Sequence, residues 1–114
     1  MTLALLYAPP TFDLALPENV RVRRHAKGSC EVVVAFFTRE ALLGRRLEAM
    51  EKMVYPDGGL WIAWPKKSSG VATDITDHVV RALAIGHGLV DNKVCSVDPT
   101  WTALRLVWRR EFRP

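Results

Sequence analysis

Lys66-Lys67-Ser68-Ser69-Gly70, with Thr73 three residues on, is the stretch of this chain best equipped for chemistry. Two ammonium groups, two hydroxyls and a glycine that admits close backbone approach would cradle a phosphate or carboxylate. Thr73 stands where a helix is expected to begin, and free N–H groups at such a start would add to an anion's binding. The plainer reading is a solvated loop whose lysines point to water. No Gly-x-x-x-x-Gly-Lys-Ser/Thr pattern surrounds the pair, so nucleotide hydrolysis is not indicated. Asp74 and Asp77 read as helix-start residues worth roughly 1 kcal/mol as caps, because no nucleophile stands near them. His25, His78, His87, Cys30 and Cys95 are scattered without metal-ligand spacing, so no metal site is assigned. Cys95 has no adjacent histidine to activate it, and no catalytic residue is assigned.

Aromatic residues offer a second kind of site. Trp61 and Trp108 sit inside strand-like runs and read as packing. Trp64 and Trp101 lie at strand ends beside loops, where an indole next to Lys or Arg would mark a partner surface. The Trp64–Pro65 bond is open to either isomer.

These residues need elements to hold them. Leu60–Trp64 is a run of five apolar residues, a buried strand stopped by Pro65. It empties through the lysine loop into a helix capped by Thr73 or Asp74 and running to about Ile85, with Val79, Val80, Leu83 and Ala84 on one face. A strand that ends in a polar loop before a helix is where α/β proteins keep their ligands. Upstream, Leu3–Tyr7 reads as a strand buried on both faces, Asp13–Asn19 as a short connection, and Val20–Arg24 as a half-exposed edge-side strand. Lys27-Gly28-Ser29 turns the chain. Glu31–Phe37 is β-branched and aromatic, hence a central strand. Thr38 is the expected N-cap of a helix whose stripe is Leu43, Leu47, Met50 and Val54. Gly86-His87-Gly88 ends the second helix, and Asp98-Pro99-Thr100 is short enough only for an antiparallel hairpin between Leu89–Val97 and Thr102–Trp108.

The order strand, strand, strand, helix, strand, helix, strand, strand predicts one α/β domain over residues 1–114. Its fold is Rossmann-like, of the class I methyltransferase kind: a mostly parallel sheet, two main helices and an antiparallel C-terminal hairpin. At 114 residues, 49% hydrophobic and 25% charged, the chain can build a core without staples. Both cysteines sit in apolar runs and read as buried free thiols of a reducing cytoplasm. No apolar run reaches a membrane span, and Met1–Ala8 lacks the basic head of a signal peptide, so a cytoplasmic protein is expected. The net charge of +4 comes with arginines at 21, 23, 24, 45, 46, 105, 109, 110 and 113. Acidic residues interleave with them, so a mixed-charge surface is favoured over a nucleic-acid stripe.

Gly58-Gly59-Leu60-Trp61-Ile62-Ala63-Trp64-Pro65-Lys66-Lys67, then Gly70-Val71-Ala72-Thr73-Asp74, Gly88–Asp98 and Thr100-Trp101 resemble the bacterial domain of unknown function 3052 family. The opening Leu5-Leu6-Tyr7-Ala8-Pro9-Pro10-Thr11-Phe12 is similar to that family's first strand and turn. The resemblance spans nearly the whole chain. It implies a small methyltransferase-like fold without an established activity and supplies no catalytic residues.

Methyl transfer asks for a glycine-rich turn after the first strand, so that backbone can approach the cofactor. Here that turn is Ala8-Pro9-Pro10-Thr11-Phe12, with two prolines that lack N–H donors. The acid expected after the second strand is replaced by Arg23, Arg24 and His25, and Phe37-Thr38 carries no acidic or Asn-Pro-Pro motif. No cofactor is therefore expected. The function these residues suggest is non-catalytic: binding of a protein partner or small anion by the loops after Tyr7, Phe37 and Trp64. The alternatives are a degenerate transferase using Lys66 or Lys67 electrostatically, and a nucleic-acid-binding module. Pro114 and nearby charges blunt the C-terminal edge, so any homodimer should form through a helix face or Trp101.

Overall fold

Successive side chains along Thr2–Leu6, Val32–Phe36, Gly59–Pro65 and Trp101–Trp108, the strands that build the core, pack alternately on two faces of one sheet, and this alternation organises the molecule. A computed structural model describes residues 2–10, 12, 19–26 and 28–114. Its elements are β1 (Thr2–Leu6), β2 (Arg21–Arg23), β3 (Val32–Phe36), α1 (Glu40–Met53), β4 (Gly59–Pro65), α2 (Asp77–Gly86), β5 (Leu89–Ser96) and β6 (Trp101–Trp108). Single 3-10 turns occupy Lys67–Ser69 and Arg110–Phe112. The expected connection over Asp13–Asn19 lies outside the described residues except for Asn19.

The six strands form one sheet in the order β2-β1-β3-β4-β6-β5. β1 pairs in parallel with β2 and β3, and β3 with β4. β6 runs antiparallel to both β4 and β5, closing the edge as the expected hairpin, with an irregularity between Asp91 and Lys93. The central position of β3 and the edge position of β2 agree with their composition.

One face of the sheet carries the main core. Leu43, Leu47, Met50 and Met53 of α1, and Val80 and Ala84 of α2, pack there on Ala4, Leu6, Val33, Ala35, Ile62 and Leu104. The other face joins Leu3, Leu5, Phe36, Ala63 and Ala103, with Phe12, Val20 and Trp101 against them. Among the described residues no helix covers that second face.

Helix starts differ from the sequence reading. Thr38 does not cap α1: the N-cap position is Arg39, which gives no side-chain bond, and the Glu40 amide donates instead to Asp74 Oδ1 at 2.7 Å. Neither Thr73 nor Asp74 caps α2; Thr76 does, accepting from the Val79 amide at 3.2 Å. Local spacing could not reveal a cap supplied by a residue 34 positions away. The cis X–Pro bond among the described residues is Tyr55–Pro56, not Trp64–Pro65. Cys30 is buried as expected, but Cys95 is exposed because β5 is an edge strand.

Glu51 interrupts the polar side of α1 by being buried. Its Oε2 meets His87 Nδ1 at 2.8 Å, and its carbonyl accepts from Trp108 Nε1 at 2.9 Å, tying α1 to the end of α2 and to β6. Burial pushes the carboxyl above its ordinary 4.5, and the His87 bond offsets this only in part. A raised acid stabilises the fold below its unfolded pKa, and that stability is lost as pH rises through the folded value. Glu51→Gln should therefore gain on wild type as pH is raised from about 4 to about 7. Urea unfolding at the two pH values checks this; a constant difference would contradict it.

Candidate functional site

Strand order reverses at β1, whose neighbours are β2 on one side and β3 on the other, and the crevice beyond such a reversal is the usual ligand position. Tyr7 follows β1 with φ +58°, a left-handed conformation that costs an ordinary L-residue roughly 1–2 kcal/mol and that glycine adopts freely. Its ring lies 5.3 Å from that of Phe37, just past the end of β3, and the Arg46 guanidinium stands 5.6 Å from its centre. The crevice mouth thus holds two aromatic rings and a cation. Phe12 turns to the other sheet face and packs on Phe36 at 4.7 Å, so it is Tyr7, not Phe12, that stands between the strand ends.

The second position is the carboxyl end of β4. A cleft of about 490 Å³ is lined there by Trp64, Pro65, Lys66, Lys67, Thr76 and Val94, among others. Lys66 Nζ donates to Ser96 Oγ, tying the loop to β5, and the Lys66 amide donates to the Thr100 carbonyl at 2.7 Å. Lys67 is exposed. A hollow of about 530 Å³ at the opposite end of the strands, by Thr2 and Tyr55, has no lysine or arginine in its lining and lies away from the ligand-binding strand ends.

Of the five loop residues expected to hold an anion, Lys66, Lys67 and Thr73 line this cleft, whereas Ser68 and Ser69 do not. Ser69 Oγ donates to the Lys66 carbonyl at 2.6 Å and accepts from the Val71 amide, so it closes its own turn. Thr73 Oγ1 donates to the Thr38 carbonyl at 2.7 Å and accepts from the Ile75 amide. Both hydroxyls hold the loop in place rather than offering it donors. Two amides of the helix start are also engaged: Thr76 accepts from the Val79 amide and the Asp77 carboxylate from the His78 amide at 2.9 Å. The lysine charges are the cleft's main offer to an anion.

Asp77 faces the same cleft, but its carboxylate is engaged by Arg81 at 2.7 Å, which holds its pKa below the ordinary value. Arg81 bonds Asp91 Oδ2 at 3.0 Å as well, and these two acids raise its own pKa, Asp91 more than Asp77. Trp64 is not a surface residue: at 6% exposure it belongs to the core, because alternation along β4 aims it at the helices. Trp101 is half-buried with its ring edge-on to Phe36 at 5.1 Å. Nor do the arginines form one stripe. Arg21 and Arg23 lie on the edge strand β2, Arg45 and Arg46 on α1, and Arg105 opposite Trp61 on the helix-free face.

Asp74 is the functional-loop residue that sequence reading placed on the wrong helix. By capping α1 it locks Gly70–Thr76 over the end of β3, beside the Thr38–Arg39 turn. Asp74→Ala should cost about 1 kcal/mol, while Asp74→Asn, which keeps an acceptor, should cost a few tenths. Chemical unfolding of both variants checks this, and equal losses would exclude capping as Asp74's role.

No protein-family model matches the chain, and no curated protein matches it. Solved structures do. Magnesium protoporphyrin IX methyltransferase from Synechocystis PCC 6803 with bound SAH is similar at a TM-score of 0.59 and 9% identity, over 79% of this chain and 52% of that one. A pericyclic reaction enzyme, and a LepI variant in complex with SAH and a substrate analogue, each match at a TM-score of 0.52 and 12% identity. Both cover 94% of this chain and 36% of the other. The chain spans about half the length of the first neighbour and about a third of the other two. At these identities the likeness is one of fold: the chain is a Rossmann-like α/β domain of the methyltransferase type.

Proposed function

We propose that this methyltransferase-type domain is a binding module without methyl-transfer activity, and that its ligand is a small anion held by Lys66 and Lys67. Membership of the domain of unknown function 3052 family belongs to the same reading. The observation that carries it is the pairing of both lysines with the Trp64–Pro65 wall in one cleft at the carboxyl end of β4. Ile75 and Val94 add apolar surface, which suits an anion with an apolar body, such as an aromatic carboxylate. Against a cofactor stands Tyr7, which takes the left-handed position that a glycine would hold in a dinucleotide-type turn, with Phe37 and Arg46 closing round it.

The test is a thermal-shift panel of S-adenosylmethionine, nucleotides, phosphate, sulfate and benzoate. Stabilisation by one or more of the phosphate, sulfate or benzoate anions, with no shift from S-adenosylmethionine, is expected. A shift with S-adenosylmethionine would overturn the non-catalytic reading, and no shift with any anion would overturn the ligand.

A further inference from the structure

The sheet face on which no helix packs among the described residues is a second surface, separate from the lysine cleft. β6 pairs antiparallel with β4 and β5, an arrangement that can leave one face of a sheet open to solvent or to a partner. Here the half formed by β4, β6 and β5 presents Trp61, Val90, Arg105 and Val107, with Lys93 beside them. Register places Trp61 directly opposite Arg105, Arg105 opposite Lys93, and Val107 opposite Val90. Trp61, Arg105 and Val107 are half-buried, and Val90 and Lys93 are exposed. A groove of about 320 Å³ crosses this face over Val32, Val34, Trp61 and Ala103 to Cys95.

Charge says what fits. The strand positions described on this face include Lys93 and Arg105 but no Asp or Glu, and neither cation has a salt bridge among the described residues. A second copy of the chain would bring like charges together across a self-complementary contact, which disfavours it. An amphipathic helix with an apolar stripe and carboxylates along its flank would cover the valines and indole and pair both cations. A helix laid on a sheet is also how α/β folds bury such a face. Tryptophan and arginine at the centre are the residue types that carry binding energy in protein interfaces.

We propose that this face docks an acidic amphipathic helix of another protein, anchored by Trp61 and oriented by Arg105 and Lys93. The test titrates the full chain with two synthetic helices that share one leucine stripe, one flanked by glutamates and the other by lysines, and follows backbone amide and indole shifts by NMR. The glutamate helix should bind about tenfold more tightly than the lysine helix, with shifts at Trp61, Val90 and Val107. Lys93→Glu/Arg105→Glu should reverse that preference. Lys93→Glu alone, at an exposed site, should weaken it without affecting folding. Equal binding of both helices, no binding of either, shifts confined to the lysine cleft, or a concentration-dependent dimer abolished by Trp61→Ala would each overturn the proposal.

Discussion

In the Lys66→Ala/Lys67→Ala variant, stabilisation by the bound anion is expected to vanish while the unliganded melting temperature changes little. A ligand at 100 times its Kd stabilises the native state by about 2.7 kcal/mol. For a domain of 114 residues that is a shift of roughly 10 °C. Removing both ammonium groups leaves Asp77, already paired with Arg81, as the charged residue lining the cleft, so the attraction for an anion is lost. The cost to the unliganded protein is small, since the bond from Lys66 to Ser96 is exposed and Lys67 makes no bond to a described residue. Sulfate and phosphate also stabilise folded proteins by exclusion from their surfaces. That contribution is common to wild type and variant, so the difference between their shifts isolates the site. Equal shifts in both would dismiss the lysines as ligands.

Ile62→Ala is expected to be the most damaging single truncation, lowering the unfolding free energy by about 2–5 kcal/mol. Ile62 is fully buried on β4 between α1, α2 and the neighbouring strands, so the hole left behind cannot collapse easily. Domains of ordinary stability have about 5–15 kcal/mol in total, which makes this a large share. Val33→Ala and Val34→Ala supply an internal control: the same substitution at adjacent positions of β3, on opposite faces. Val33 is fully buried under the helices and should lose about 2 kcal/mol, whereas half-buried Val34 on the helix-free face should lose about 1 kcal/mol or less. Urea denaturation measures all three. Equal losses at Val33 and Val34 would mean that both faces are covered in solution.

Much of the architecture was legible in the chain. The strands read within Glu31–Phe37 and at Leu60–Trp64 are found because almost every position in them is apolar and β-branched or aromatic residues recur, whichever face each side chain takes. The stripe Leu43, Leu47, Met50 and Val54 is read correctly because all four face one layer. Asp98-Pro99-Thr100 left room for no topology but a hairpin. The candidate site was only half legible. The lysines could be placed at a strand end, yet the roles of Ser69 and Thr73 were misread, because a hydroxyl's partner is chosen by loop geometry and not by its own identity. Trp64 and Trp61 differ by three positions, and only the phase of the pleat decides which indole meets the helices and which meets the open face.

The amino-acid sequence by itself determined which segments become strands and helices, though not where α2 begins, because periodic burial is a property of neighbouring residues. It also determined that the turn after β1 would be proline-rich, since that is composition alone. Tertiary structure decided the rest: Asp74 capping a helix 34 residues upstream, Tyr7 in a left-handed conformation beneath Arg46, and both described helices on one face of the sheet. Each of those outcomes depends on contacts between residues far apart along the chain, and their free energies exist only once the sheet has brought the partners together.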